Sequence, residues 1–477
     1  MLVTADPTAL LTTQGRELLA RLADASPADQ PAGRAGSPLA QAERLRREYP
    51  AELVALAMAQ HELRLAAVAK FSRAAEMLFT RAGYEQSSSE AIARYRAARL
   101  AGALPGAAGT AAGRVADLCC GIGGDLIALA GAGEVLAVDR DQVHVRLALH
   151  NAAVYGRAAQ VTAVVSDVRD VRLAGLAAVF IDPARRSGPG TASAGPSSAG
   201  PASASTASAG PSSASTASAS TARRFRAGLS EPPLDWCAHL AGQVPAVCVK
   251  AAPGLPADLI PPGWEAEFIA EGRDLKEAVL WSPALATAPV AAPPVGPPGP
   301  RRATVIVPAA AGQAPGVPAP AGQAAPSRPR DGQVPRGHVT LVAEPGGPVP
   351  LRAPGEYLLD PNPAVTRAGL VEDLARTLGG DAAKIDPQIA FLTLDRHVDT
   401  PFARTLRVLE SAPWHEKEFA RRLRDLGIGA VDIRRRGLAG DVDQIRRRLK
   451  LAGKDRATLV ITRVDDKPWG IICTGPA

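Results

Sequence analysis

The stretch Val115-Ala-Asp-Leu-Cys-Cys-Gly-Ile-Gly-Gly-Asp125 decides the fold. A short apolar strand carries Asp117 to its C-terminal end, and Gly121, Gly123 and Gly124 follow at once. Glycine reaches backbone angles closed to other residues and lets the main chain approach a ligand. A helix from about Leu126 then aims its N-terminus at the same spot. A crevice at the carboxyl ends of strands is the general ligand position of open α/β sheets. A dinucleotide loop, G-x-G-x-x-G, requires a third glycine where helix packs on strand. Here Leu126 occupies that place, and Asp125 puts a carboxylate inside the loop. A diphosphate is repelled by that carboxylate; a sulfonium with an amino-acid tail is not.

Outward from this loop, the next strand ends in Val138–Asp139, 22 residues after Asp117, where an acid can hold both hydroxyls of a ribose. After the third strand come Ser166-Asp167-Val168, an acid beside an apolar residue, able to bracket an adenine. Each Asp alone is an ordinary turn or cap residue. Three acids at three successive strand ends point to S-adenosylmethionine. An NAD(P) oxidoreductase is disfavoured by Leu126 and Asp125.

Strands are expected at 115–118, 135–139, 161–165, 177–181, 246–250, 265–269 and 278–281, with helical patterns between most of the early ones. That alternation predicts an α/β fold with a doubly wound, seven-stranded, Rossmann-like sheet. Before it, residues 1–40 read as loose and 41–105 as helical. Leu53, Leu56, Leu63, Ala67, Phe71, Ala74 and Leu78 form one stripe of a long helix, and Ser87 with Glu90 forms a capping box for the next. The catalytic domain spans 106–283. Within it, 187–222 holds only Ser, Thr, Ala, Gly and Pro, a composition that cannot offset its ordering entropy, so a disordered insertion is expected. Residues 284–336 read as a Pro/Ala/Gly-rich linker with one edge strand at Thr304–Val307. Residues 337–400 connect to a small α+β domain over 401–477, with a helix started by Asn362–Pro363 on the way.

Charge is uneven. The chain carries 54 Lys and Arg against 47 Asp and Glu, and from Pro401 onward 17 basic residues face 10 acidic ones. The excess therefore sits in the last domain. Its arginines cluster at 421, 422 and 424, at 434–436 and at 446–448, a pattern suited to nucleic-acid phosphates or to an ordinary solvated face. The five cysteines at 119, 120, 237, 248 and 473 make no C-x-x-C pair, so neither a disulfide framework nor a zinc site is expected, and no metal is assigned. A reducing cytoplasm fits this cysteine usage. No membrane span and no secretory leader are read. Lys250, ending the fifth strand, can reach the crevice mouth or snorkel from the strand end, and the second is the favoured reading; His144 and His150 read as surface residues.

The stretch 115–182 resembles class I S-adenosylmethionine-dependent methyltransferases. Asp117-Leu-Cys-Cys-Gly-Ile-Gly-Gly, Val138-Asp-Arg-Asp141 and Ala148-Leu-His-Asn-Ala-Ala-Val-Tyr-Gly156 look like the trimethylguanosine synthase-related RNA methyltransferases. Arg434-Arg-Arg-Gly437 and Arg447-Arg-Leu-Lys-Leu-Ala-Gly453 resemble the THUMP-like domain attached to bacterial members. The resemblance implies cofactor contacts by Asp117, Cys119, Gly121, Gly123, Gly124, Asp139, Arg140 and Asp167. The fourth strand ends in Phe180-Ile-Asp-Pro-Ala-Arg-Arg186. Asp182 and Pro183 match the start of the Asp/Asn-Pro-Pro-aromatic motif that orients a target amine, with Ala184 and Arg185 in place of the second proline and the aromatic. Asp182 and Pro183 are thus the implied catalytic pair. Arg185, Arg186, Arg435 and Arg447 are the candidate substrate contacts, because a guanidinium plane stacks on bases and pairs with phosphate. The implied function is methylation of a base nitrogen in structured RNA, with tRNA and rRNA as the classes considered. A methyltransferase for a protein or small molecule, and a non-catalytic RNA-binding protein retaining the cofactor fold, are the alternatives. The sequence leaves oligomeric state open.

Overall fold

The computed structural model describes residues 6–24, 38–104, 113–185, 230–287, 299–307, 337–343, 346–438 and 440–474. The insertion expected at 187–222, Arg186 and most of the expected linker lie outside the described residues. Two compact units emerge. The first gathers the described residues up to 185 with 230–251 and 281–285; the second takes 252–280 and those from 286 onward.

The first unit begins with a 3₁₀ turn at Pro7–Leu11 and helices α1 (Thr13–Asp24), α2 (Pro38–Leu45), α3 (Ala51–Ala67), α4 (Arg81–Gln86) and α5 (Glu90–Ala103). Strand β1 (Val115–Leu118) leads through the glycine turn into α6 (Gly124–Ala130), then β2 (Val135–Asp139), α7 (Gln142–Val154), β3 (Val161–Val165) and β4 (Ala178–Ile181). A two-residue ribbon, β5 (Ala184–Arg185) with β6 (Ser230–Glu231), precedes α8 (Leu234–His239) and β7 (Ala246–Ala251). The large strands lie parallel in the order β7-β4-β1-β2-β3. The order reverses between β1 and β4, so the end of β1 opens on the switch point where such sheets bind ligands.

The N-terminal region differs from its sequence reading. Leu10, Leu18 and Leu22 are buried in one cluster with Val54, Leu63, Phe71, Leu78 and Phe79, which also takes in Ile122, Ile127 and Leu147 of the sheet's own loop and helices. Residues 6–24 are therefore a packed wall rather than a loose start. Their stripe is short and interrupted by polar residues, which weakens its periodic signal. The long helix also stops early, at Ala67. The Lys70 ammonium donates to the carbonyls of Tyr84 and Ser87, turning the chain back on itself while Phe71 and Leu78 stay in the core. Ser89, not Ser87, is the N-cap of α5, and Glu90 instead accepts from the Ser72 amide and the Tyr155 hydroxyl.

Asn151 joins these layers. It is fully buried, accepts from the Leu78 amide at 2.9 Å, and donates to the carbonyls of Leu78 and Ile122, each also at 2.9 Å. One amide side chain thus ties the segment after α3 to the glycine turn.

The second unit contains β8 (Glu265–Glu271), β9 (Asp274–Trp281), β10 (Arg301–Val307) and β11 (Gly337–Val342), in the order β11-β10-β8-β9. All seven expected strands are present, and the edge strand expected at 304–307 begins at Arg301, runs parallel to β8 and pairs antiparallel with β11. The region expected only to connect, 337–400, holds β11, β12 (Tyr357–Pro361), α9 (Pro363–Ala368), α10 (Val371–Leu378), β13 (Ala383–Lys384) and β14 (Leu392–Leu394). Asn362 caps α9, accepting from the Ala364 amide, with Pro363 in the first turn as read. Then follow β15 (Ala403–Pro413), α11 (Glu416–Asp425), β16 (Ile428–Arg435), α12 (Val442–Leu449), β17 (Asp455–Val464) and β18 (Lys467–Thr474). Seven strands form a second, mostly antiparallel sheet in the order β13-β14-β12-β15-β18-β17-β16. Among the described residues, no helix is long and apolar enough to cross a membrane.

Asn151→Ala strands the amide and carbonyl of Leu78 and the carbonyl of Ile122. Each buried unpaired group costs about 1–3 kcal/mol. The variant is expected to lose about 3 kcal/mol or more in denaturant unfolding, whereas Arg94→Ala on exposed α5 surface should lose under about 1 kcal/mol.

Candidate active site

Three left-handed residues make the turn after β1: Cys119 at φ 63°, Gly121 at φ 52° and Gly123 at φ 86°. Glycine is required at 123 for a second reason, since a β-carbon there would lie 2.9 Å from the Ala148 α-carbon on α7. The turn carries the backbone from the end of Asp117's strand to the N-terminus of α6, which starts at Gly124.

Asp117 is 1% exposed, and neither carboxylate oxygen has a hydrogen-bond partner. Burial drives its carboxyl well above the usual range, and the charges of Asp125, Asp182 and Asp139 push the same way, opposed by Lys250. Asp139 is differently placed. Its Oδ2 accepts from the Gly121 amide and its Oδ1 from the Asp141 amide, both at 2.9 Å. Burial favours its protonation, but His144 and these two amides outweigh that and hold it below the usual range. The His144 Nδ1 stands 3.6 Å from Asp139 Oδ1, and this pairing raises the imidazole's pKa against the effect of burial. His144 is therefore an ion-pair partner of the crevice rather than an idle surface residue, while His150 turns to the Glu76 carbonyl. Arg140, next to Asp139, is exposed.

Asp167 caps the 3₁₀ turn after β3 by accepting from the Arg169 amide. Arg169 pairs back with Asp167 at 3.2 Å, pairs with Glu231 on β6, and lies over the Trp236 ring.

Two basic groups, Arg96, unnoticed in the sequence, and Lys250, read chiefly as a snorkelling residue, offset the acids. Arg96 on α5, 2% exposed, pairs with Asp125. Lys250 is buried, its ammonium 2.6 Å from Asp182 Oδ2, 4.0 Å from Asp125 Oδ2 and 3.4 Å from the Gln86 carbonyl. Lys250 is thus not a snorkelling residue: its ammonium turns inward to two carboxylates. Burial favours a protonated Asp125, yet Arg96 and Lys250 prevail and keep it below the usual range. Asp125 is consequently a paired carboxylate, and the repulsion of a diphosphate ascribed to it is largely cancelled by Arg96. The vacant acceptors of Asp117 carry the cofactor argument better. They suit an N–H donor or a cation and repel a phosphate.

Asp182 follows β4, its amide bonded to the Leu118 carbonyl, so the ends of β1 and β4 are stitched together. Pro183 is buried behind it, and Ala184–Arg185 run into the ribbon with β6.

Comparison with known proteins settles the family. The chain is 30% identical over 399 residues to an S-adenosylmethionine-dependent methyltransferase of Mycobacterium tuberculosis, present in strains CDC 1551 and H37Rv; the match covers 82% of this chain and 85% of the relative. The chain belongs to the S-adenosylmethionine-dependent methyltransferases. Residues 112–194 match a domain described as RNA cap guanine-N2 methyltransferase, residues 403–475 a THUMP domain-like family, and residues 4–67 a domain of unknown function. A crystal structure described as a methyltransferase from Porphyromonas gingivalis W83 superposes with a TM-score of 0.62 over 97% of this chain and 99% of its own, at 17% identity, which speaks for the fold. The main sheet is therefore the mostly parallel sheet of a methyltransferase, flanked by N-terminal helices and accompanied by a THUMP-like α+β sheet. The cofactor is S-adenosylmethionine.

Replacing Arg96 with Met leaves Asp125 only the more distant Lys250. Breaking a buried pair costs about 3–5 kcal/mol at neutral pH. In the parent methyltransferase the depressed Asp125 pKa contributes stability above the carboxyl's unfolded value, lost as pH falls through the folded value. In Arg96→Met burial pushes that pKa upward, so the stability deficit should narrow between pH 7 and about pH 4. Denaturant midpoints measured across that range test this; a constant deficit would show that the pair is not the source.

Proposed function

We propose that the methyltransferase transfers a methyl group to a base nitrogen of structured RNA, a tRNA or an rRNA. The observation that carries this reading is the Asp182 carboxylate, held at 2.6 Å by Lys250 on the rim of the crevice occupied by Asp117. S-adenosylmethionine supplies an already activated methyl on a sulfonium. What remains for the protein is positioning. Asp117 takes the amino group of the cofactor, Asp139 the ribose hydroxyls, and Asp167 the adenine edge. Cys119, Gly121, Gly123 and Gly124 form the cradle, and Arg140 closes its outer side. Lys250 binds Oδ2 of Asp182 and so leaves Oδ1 to accept from a substrate N–H. Pro183 keeps the strand end from rotating, because its ring fixes φ. The target nitrogen approaches along the line Asp182 sets, and its proton passes to Asp182 or to solvent.

Support for RNA comes from the cap guanine-N2 methyltransferase and THUMP-like matches. Arg185 and Arg186, after the catalytic pair, meet the base or its phosphate, and Arg435 and Arg447 in the THUMP-like part assist recruitment. The division of labour follows the boundaries read from sequence, with 106–283 catalytic and 401–477 recruiting.

Asp117→Asn preserves shape and removes the charge. In the ligand-free protein the raised Asp117 pKa makes stability fall as pH climbs from the unfolded carboxyl value, about 4, toward the folded value. The Asn variant escapes this loss, so its melting temperature should exceed the parent's by a margin that widens with pH. Calorimetry should find its affinity for S-adenosylmethionine reduced about tenfold or more, the loss of one charge-assisted contact. An unchanged affinity would remove Asp117 from the cofactor site. Asp182→Ala should keep cofactor affinity and lower methyl incorporation into RNA from cells lacking the gene by about 100-fold. Full turnover in that variant would place the reactive centre elsewhere.

A further inference from the structure

Four side chains of alternating charge run from α5 to the rim of the crevice. Arg96 pairs with Oδ1 of Asp125, in the first turn of α6. Oδ2 of Asp125 faces the Lys250 ammonium, near the end of β7, across 4.0 Å. That ammonium meets Oδ2 of Asp182 at 2.6 Å. The side chains of the first three are 12% exposed or less and that of Asp182 is 32% exposed, so the row opens only at the reactive end. Arg96 is fixed from two sides. Its helix is buried at Ile92, Ala93, Ala97 and Leu100, and its guanidinium lies 5.5 Å from the centroid of the Phe180 ring, on β4 two residues before Asp182.

One ammonium thus stands between two carboxylates, and its position is a competition. Attraction between charges grows as distance falls and as water is excluded. An unpaired Asp125 would hold Lys250 as its counter-ion and draw it away from Asp182. Arg96 prevents this in two ways. It neutralises Asp125, and its like charge repels Lys250 toward the rim. Burial raises the Asp125 carboxyl, and of the two cations that outweigh burial Arg96 acts more strongly than Lys250. The distances agree, since Lys250 stands closer to Asp182 than to Asp125. Asp117, a third acid acted on by Lys250, is driven toward its neutral form by burial and by the other acids. The Gln86 carbonyl, 3.4 Å from the ammonium, carries no net charge and does not set the balance.

We infer that Arg96 is a positioning residue for methyl transfer: by holding Asp125 it keeps the Lys250 ammonium on Oδ2 of Asp182, and so fixes the direction in which Asp182 meets the target nitrogen. A carboxylate with one oxygen pinned keeps the other aimed. Reaction geometry tolerates little, and a displacement of about 1 Å can cost about 100-fold in rate. Arg96 is buried and acts only through Asp125 and Lys250. A helix ahead of the sheet thereby enters the reaction through charge, beyond its part in packing.

This inference rests on Asp182 as the reactive carboxylate, and the test keeps the two apart. Rates of methyl incorporation into RNA from cells lacking the gene are measured at saturating cofactor for the parent, Arg96→Met, Asp125→Asn, their double variant and Asp182→Asn. Arg96→Met should slow transfer about tenfold or more while its calorimetric affinity for S-adenosylhomocysteine stays near the parental value. In the Asp125→Asn background no competing charge is left, and there the same Arg96→Met change should cost under about twofold. A merely structural role predicts the opposite, a loss that persists or deepens in the double variant. The crystal structure of Arg96→Met should show the Lys250 ammonium within about 2.7–2.9 Å of an Asp125 oxygen and withdrawn from Asp182. Arg96→Gln, which still donates to Asp125 but carries no charge, replaces Arg96→Met in every arm should the latter not fold. The structural arm holds whatever the methyl acceptor: Lys250 remaining on Asp182 refutes the positioning role. So does an Arg96→Met rate equal to the parent's where Asp182→Asn is slow, and in both cases the reading of Asp182 stands. Should Asp182→Asn turn over at the parental rate, that reading falls and the inference with it.

Discussion

The crevice at the end of β1 is organised by a surplus of negative charge that the protein only partly cancels. Asp125, Asp182 and Asp139 all act on Asp117 there, while Lys250 opposes them and Arg96 and Lys250 offset Asp125. Each acid is handled by different means. Asp125 receives Arg96, Asp182 receives Lys250, and Asp139 receives two backbone amides with His144 behind. Only Asp117 receives nothing. Leaving one buried carboxylate unmet costs stability in the ligand-free protein. The deficit matches the chemistry of a cofactor that brings an ammonium and a sulfonium. Satisfying Asp117 internally would stabilise the ligand-free fold.

That arrangement explains why the N-terminal helices belong to the catalytic unit. Arg96 comes from α5, and the Gln86 carbonyl that touches Lys250 comes from the end of α4. Helices outside the parallel sheet thus contribute the counter-charge and brace the glycine turn through Leu78 and Asn151. Buried Ile92, Ala93, Ala97 and Leu100 fix α5, and a guanidinium can neutralise Asp125 only if its own helix is fixed. The region read only as helical is therefore one wall of the crevice.

The glycine turn and the strands of the main sheet other than β11 were legible because their signals are local. Period-two and buried apolar runs mark the strands, and glycines at 121, 123 and 124 mark the turn. The cap at Asn362 was equally local, its side chain accepting from the amide two residues on. What escaped was long-range pairing. Arg96 and Asp125 are 29 residues apart, Asp182 and Lys250 are 68, and Leu78 and Asn151 are 73. No spacing rule links such positions, so Lys250 read as an end-of-strand lysine and Asp125 as a free carboxylate. The end of α3 was missed for the same reason: Phe71 and Leu78 continue the apolar spacing while Lys70, bonded to carbonyls 14 and 17 residues ahead, bends the chain.

The same contrast governs the basic domain. Counting arginines along the chain groups Arg434, Arg435 and Arg436 as one patch, but a strand alternates its side chains, and adjacent residues face opposite ways. Arg435 goes with Val431 and Ile433 to the helical side; Arg434 goes with Asp432 to the opposite side. The helix clusters at 421–424 and 446–448 lose much of their charge to acids three or four residues away, the spacing that helices bring together. Net charge per segment therefore misplaces the field. What decides a cation's freedom is the acid within its reach, and on a strand that acid comes from the neighbouring strand, as Asp432 meets Arg456 24 residues away.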